Sequence, residues 1–97
     1  MRLRYTLPAL ADLASILDYI ADRSPQGAAR VHARIRAMTD LLLRYPLAGA
    51  VTDDPTIRRL ATTPYPYLIF YEVTDAEIII HAVRHGARDP SETAHSE

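Results

Sequence analysis

A pair of β-prone runs joined by a short polar turn constrains the fold of this chain more than any other feature. The runs are Tyr67–Val73 and Glu77–His85, and residues 74–76 separate them. Runs rich in isoleucine, valine and aromatic residues on either side of a few polar residues are typical of a β-hairpin. The sequence therefore predicts two long, neighbouring antiparallel strands.

The first part of the chain has the pattern of a strand followed by a helix. Residues 2–6 alternate polar and apolar side chains, which predicts a short first strand. A helix then opens at Leu7-Pro8, because a proline at the start of a helix removes no hydrogen bond that the helix needs. Apolar residues recur at spacings of three and four as far as Ile20, so this helix is predicted to end near Arg23.

A second helix follows almost directly. Ser24 is suited to cap its first turn and Pro25 to begin it. Apolar residues again recur every three or four positions up to Tyr45, and Pro46 disfavours helical geometry in the residue before it. Residues 8–45 are therefore predicted to form an αα-hairpin with a very short connection.

The segment between the helices and the β-hairpin contributes one further strand. Residues 46–55 are predicted to be an irregular loop, residues 56–62 a strand, and residues 63–66, with two prolines, a turn or edge segment. The fold class is therefore α+β: an N-terminal strand, an αα-hairpin and a three-stranded antiparallel sheet, with the helices on one face.

Composition narrows the class of protein. Ninety-seven residues form one domain, predicted to span residues 1–89 and to be followed by a polar tail at 90–97. The chain has no cysteine, and its N-terminus has no apolar run long enough for a signal peptide. We therefore expect a cytoplasmic protein that does not associate with a membrane. Its net charge of −1 is not that of an obvious nucleic-acid binder.

Both faces of the predicted hairpin are apolar. Leu68 and Phe70 alternate with Tyr67, Ile69 and Tyr71 along the first strand. One αα-hairpin covers only one face of a sheet, and a solvated second face is normally polar. Either loops cover the back of a central strand, or a partner chain covers the second face.

Arginine and histidine residues cluster where the last strand ends. Arg84, His85 and Arg88 follow one another closely, and Gly86 permits a tight reversal of the chain among them. Arginine clusters suit the recognition of phosphate or carboxylate groups. Arg58 and Arg59 are adjacent on a predicted strand, so their side chains point to opposite faces and only one of them can face a given site.

The histidines do not indicate a metal site. His81 and His85 are four residues apart on a predicted strand and would project to the same face. No third ligand stands at a recognisable spacing from them. We therefore expect no metal and no cofactor.

Several segments resemble one family when they are taken in order. These are the strand with Arg58-Arg59, the Tyr-Pro-Tyr-Leu-Ile-Phe-Tyr run at 65–71, and the ending Val-Arg-His-Gly-Ala-Arg at 83–88. Their order and spacing resemble the RelE/ParE toxin superfamily of bacterial toxin–antitoxin systems, and most closely its ParE branch. The resemblance covers residues 2–88.

The resemblance implies a RelE/ParE-like fold and a toxin that poisons DNA gyrase. Such a toxin is associated with plasmid stabilisation and is held inactive in a hetero-oligomer with a ParD-like antitoxin, whose extended segment docks against its helices and sheet. No catalytic residue is then needed. The residues expected to contact the target or the antitoxin are Arg58, Arg59, Arg84, His85 and Arg88.

Two alternatives stay open. A RelE-like ribosome-dependent mRNA endonuclease would use Arg59 and Arg84 on the phosphate and His85 as acid or base. Against it, the run Tyr67–Tyr71 has no basic residue, no tyrosine follows Tyr71, and the chain has no lysine. The other alternative is an antitoxin-binding relic without toxicity.

Overall fold

The structure, a computed structural model, describes residues 1–86. The elements along the chain are β1 (Arg2–Tyr5), α1 (Leu7–Ala21), α2 (Pro25–Arg44), β2 (Ala50–Val51), β3 (Arg58–Ala61), β4 (Tyr67–Val73) and β5 (Glu77–His85). The strands form one sheet in the order β1-β5-β4-β3-β2. The predicted α+β fold is confirmed, and the two strands of the hairpin have the predicted bounds. The tail predicted at residues 90–97 lies outside the described residues.

Both helices begin as their sequences predict. The Thr6 hydroxyl accepts a hydrogen bond from the Ala9 amide at 3.2 Å, and the Ser24 hydroxyl accepts one from the Gly27 amide at 2.9 Å. Each cap satisfies an amide that has no partner within its own helix. α1 ends at Ala21, slightly before the predicted Arg23. Across residues 1–86, neither helix is long and apolar enough to cross a membrane.

The sheet has one strand more than predicted. β2 is only two residues long and pairs antiparallel with β3, with Ala50 opposite Arg59. β1 pairs parallel with β5, with Tyr5 opposite Ile80, and so lies at the other edge of the sheet. The predicted N-terminal strand is thus part of the same sheet as the hairpin, which brings β4 and β5 to its centre.

Both helices pack on one side of this sheet, which we call the inner face. The buried core of that face draws on both helices and the central strands, and its members are Ala9, Val31, Ile35, Leu42, Tyr67, Ile69, Tyr71, Ile78, Ile80 and Val83. Leu3, Tyr5 and Leu60 pack against it from the neighbouring strands. Residues that project from the other face of the central strands, such as Leu68, Phe70 and Ile79, do not belong to this core. The αα-hairpin therefore covers one face, as predicted.

A β-bulge interrupts the hairpin. Tyr71 lies opposite Ile80, but Phe70 lies opposite Ala82, so His81 is an extra residue in β5. A bulge shifts the alternation of side chains by one position. Ile79 therefore faces outward beside Glu72, whereas Val83 faces the core.

Candidate functional site

The side of the sheet away from the helices, which we call the outer face, carries large apolar side chains. Leu68 and Phe70 project from β4 on this side and are half-buried. Ile79 is only 7% exposed although it is not part of the inner core. Apolar side chains on a sheet face that no described helix covers are the usual sign of a surface that contacts another molecule.

Two arginines lie on the strands that flank this apolar centre. Arg59 of β3 is opposite Phe70, and Arg84 of β5 is opposite Leu68. Cross-strand partners project to the same face of a sheet. The outer face therefore has apolar residues at its middle and a guanidinium group on either side, separated by β4.

Arg84 has a partner on α1. Its Nε lies 3.6 Å from Oδ2 of Asp12, and the same oxygen accepts a hydrogen bond from the Val83 amide at 3.1 Å. Val83 lies beyond the point where β1 ends, so Asp12 supplies the acceptor that a neighbouring strand would otherwise provide. The Arg84 side chain remains 52% exposed, which leaves it accessible to a partner.

Arg58 faces the opposite side from Arg59, as the alternation of a strand requires. Its Nη1 donates to the carbonyl of Gly49 at 2.7 Å and to that of Leu47 at 3.3 Å. These bonds attach the loop after α2 to the sheet. Of the two adjacent arginines, Arg58 is therefore engaged in holding the fold together, and Arg59 is the one on the outer face.

The structure places Arg84 and His85 of the predicted cluster on opposite faces of the sheet. The ring of His85 meets the ring of Tyr67 edge-on, with centroids 5.5 Å apart, and Tyr67 belongs to the inner core. Arg84 projects to the outer face. Arg88 lies outside the described residues. Within residues 1–86, Arg84 and Arg59 share a face, while His85 lies on the other.

The prediction that His81 and His85 share a face is wrong because of the bulge. Nε2 of His81 lies 2.8 Å from Oε1 of Glu72, which is an outer-face residue. Sequence reasoning missed this pair, and only the position of the bulge could have indicated it. Among the described residues, no group of three histidine, aspartate or glutamate side chains is arranged to hold a metal ion.

Charged groups at the turn end of the hairpin serve structural contacts. Arg4 donates to Glu77 from Nε and Nη2 at 3.2–3.3 Å, which ties β1 to β5. The hydrogen bonds from Arg4 lower the pKa of Glu77 below its ordinary value. The backbone and hydroxyl of Thr56 likewise lower the pKa of Asp54. Both carboxylates are therefore held ionised, which does not suit a general acid.

Comparison with known proteins gives a consistent result. The family model described as "ParE toxin of type II toxin-antitoxin system, parDE" matches residues 3–90. Toxin RelE2 of Caulobacter vibrioides is 42% identical over 84 residues, which covers 87% of this chain and 93% of that protein. Putative toxin Y4kP of Sinorhizobium fredii is 40% identical over 84 residues, which covers 84% of this chain and 88% of that protein.

A solved structure agrees with these relatives. The structure titled "Chromosomal ParDE TA system from P. aeruginosa" superposes with a TM-score of 0.75 and 27% identity, over 88% of this chain and 95% of that chain. The family model spans almost the whole domain, and both relatives match over most of their own length. The chain therefore belongs to the ParE toxin family of type II toxin–antitoxin systems.

Proposed function

We propose that this type II toxin inhibits DNA gyrase in the cytoplasm and is neutralised by a ParD-like antitoxin. The observation that carries the proposal is the outer face, where Leu68 and Phe70 lie between Arg59 and Arg84. An apolar centre with arginines at its margin is the composition of protein–protein interfaces. Membership of the ParE family supports gyrase as the target, and the ParDE neighbour supports the antitoxin.

The distribution of acid–base groups also supports binding over catalysis. The nuclease set predicted from sequence combined Arg59, Arg84 and His85, but His85 packs on Tyr67 at the inner side. The tyrosines of β4, Tyr67 and Tyr71, belong to the inner core as well. The predicted general acid or base is therefore not on the face that holds the two arginines.

A supercoiling assay with purified gyrase tests the proposal. Full-length protein is titrated into the reaction, and cleaved DNA trapped by denaturant is measured on the same gel. We expect supercoiling to fall and cleaved DNA to accumulate, and a ParD-like antitoxin to reverse both effects. Unchanged supercoiling at a large molar excess of folded protein would contradict gyrase inhibition.

One observation favours a second function, ribosome-dependent mRNA cleavage. Glu72 contacts His81 on the same face as the two arginines. A carboxylate that orients a histidine is a common arrangement for a general base, and arginines stabilise charge on a phosphate. If this function holds, translating ribosomes will show new mRNA 5′ ends, and His81→Gln will abolish them. Intact mRNA on ribosomes that contain the folded toxin would exclude it.

A further inference from the structure

The two helices differ sharply in charge. The charged residues of α1 are Asp12 and Asp18, and α1 has no basic residue. α2 carries four arginines and a single aspartate, Asp40. The net charge of −1 for the whole chain hides this separation, which is why composition alone gives no indication of it.

Three of these arginines lie along one side of α2. At 3.6 residues per turn, Arg30, Arg34 and Arg44 fall within an arc of about 80°, and they span about 21 Å along the helix axis. We call these three residues the arginine stripe. Asp40 lies about 40° outside that arc, one turn before Arg44, and Arg36 lies about 80° outside it. Arg30 and Arg44 are exposed, and Arg34 is half-buried.

One residue of the stripe is held in place. Nε of Arg34 donates to the carbonyl of Thr63 at 2.7 Å. That bond anchors the guanidinium group to the loop between β3 and β4 through its Nε. A planar guanidinium that is already oriented loses little entropy when it binds a phosphate in a bidentate manner.

The surroundings of the stripe favour a polyanion over a folded or helical protein partner. Protein interfaces rely on large buried anchors, among which tryptophan and tyrosine accompany arginine. Across residues 1–86, the exposed large apolar residues are Met1, Leu7, Leu10, Tyr19, Leu43, Tyr45, Leu47 and Val51; none of them belongs to residues 25–42 of α2, and Leu43 and Tyr45 flank Arg44 at its end. The exposed residues beside the stripe in the middle of α2 are alanines, Ala33 and Ala37, which permit close approach of a backbone without providing an anchor.

We propose that the arginine stripe of α2 binds the phosphate backbone of duplex DNA. The contact is independent of base sequence, because it consists of guanidinium groups and phosphate oxygens. DNA binding by the stripe is distinct from gyrase inhibition by the outer face, because the stripe is a separate surface with its own ligand. In a gyrase complex, it would allow the toxin to contact the DNA that gyrase holds.

Fluorescence anisotropy of a labelled duplex, measured with the full chain over a range of KCl concentrations, tests the proposal without gyrase. Three phosphate contacts give an expected slope of about −2.7 in log K against log [salt]. The variant Arg30→Ala with Arg44→Ala should reduce that slope by about two and weaken binding about tenfold at low salt. Arg2→Ala with Arg36→Ala removes the same charge from outside the stripe and should bind like the wild type.

Four results would overturn the proposal. One is an absence of salt-dependent binding by the wild type. Another is an equal loss in the control variant, which would mean that only net charge matters. The third is binding of a poly-glutamate peptide, but not of duplex DNA, which would assign the stripe to an acidic protein segment. A single-stranded RNA probe is measured in parallel, and a preference for it over the duplex would also contradict the proposal. Supercoiling assays on the same variants show separately whether gyrase inhibition persists.

Discussion

Tyr71 and Gly49 fix the loop after α2 against the sheet. The Tyr71 hydroxyl accepts a hydrogen bond from the Gly49 amide at 2.8 Å and donates one to the Pro46 carbonyl, also at 2.8 Å. The carbonyl of Gly49 in turn accepts from Arg58 at 2.7 Å. Both backbone polar groups of this buried glycine are therefore satisfied by side chains of β3 and β4, and the loop is positioned from the sheet.

Gly49→Ala should destabilise the protein. A Cβ atom at this position would lie 2.7 Å from Cε1 and the hydroxyl of Tyr71, and 2.8 Å from the Arg59 carbonyl. Because the tyrosine is buried and the carbonyl belongs to the sheet, neither can move cheaply, and we expect a loss of about 1–3 kcal/mol in unfolding free energy. Thermal denaturation measures the loss as a fall in Tm of several degrees.

Gly86→Ala is the matched control for that experiment. A Cβ atom there would meet its nearest neighbour, the Pro66 carbonyl, at 3.6 Å, which is an ordinary contact distance. We expect its Tm to stay close to that of the wild type. Equal stability of the two alanine variants would contradict the steric explanation at Gly49.

Tyr71→Phe should also destabilise the protein, by a different mechanism. The ring stays in the core, but the Gly49 amide loses its acceptor and the Pro46 carbonyl loses its donor. An unsatisfied buried polar group costs about 1–3 kcal/mol. Tyr45→Phe removes a hydroxyl from an exposed ring and should change the unfolding free energy, measured in urea, by far less.

Alkaline pH should destabilise the protein through its buried tyrosines. Burial is the main cause that raises the pKa of Tyr71, and hydrogen bonding by Gly49 and the charge of Arg58 oppose it. Burial also raises the pKa of Tyr5, opposed by the hydrogen bond with Thr39 and reinforced by Asp40. The unfolded chain therefore releases these protons first, so their stabilising effect is full below about pH 10 and is lost as the pH rises through the folded values.

This chain makes the alkaline effect easy to isolate, because it has neither lysine nor cysteine to titrate in the same range. We expect the unfolding free energy to fall above about pH 10, and to fall less steeply in a variant that combines Tyr5→Phe with Tyr71→Phe. Urea denaturation at a series of pH values measures both slopes. Identical slopes would show that other groups control the alkaline transition.

Local patterns were sufficient to predict most of the elements. The bounds of β4 and β5 follow from apolar runs that end at a polar turn, and the start of α2 follows from Ser24 and Pro25. β2 carries no comparable signal, since its two residues follow a glycine and are stabilised only by pairing with Arg58 and Arg59. The parallel pairing of β1 with β5 is likewise set by packing between distant parts of the chain.

The candidate site was predicted only in part, for a related reason. Alternation along a strand is sufficient to separate Arg58 from Arg59. It fails for His81 because the bulge adds one residue to β5, and nothing in the local sequence specifies which residue that is. The contact between Asp12 and the Val83 amide joins residues 71 positions apart, and it depends on how α1 packs against β5. The face that a residue occupies was therefore predictable only where the strand is regular.

The two adjacent arginines of β3 should differ in what their loss affects. Arg58→Ala removes the charged donor from the Gly49 and Leu47 carbonyls, and we expect it to lower the unfolding free energy by about 1.5–3 kcal/mol.

Arg59→Ala combined with Arg84→Ala removes both guanidinium groups from the outer face and should abolish growth inhibition in cells that lack the antitoxin, while the protein remains folded. Arg23→Ala with Arg36→Ala, which removes the same charge from exposed positions on the helical side of the molecule, should remain toxic. Growth after induction, together with circular dichroism of each purified variant, distinguishes these outcomes. Undiminished killing by the folded Arg59 and Arg84 double variant would remove the outer face from the proposed gyrase contact.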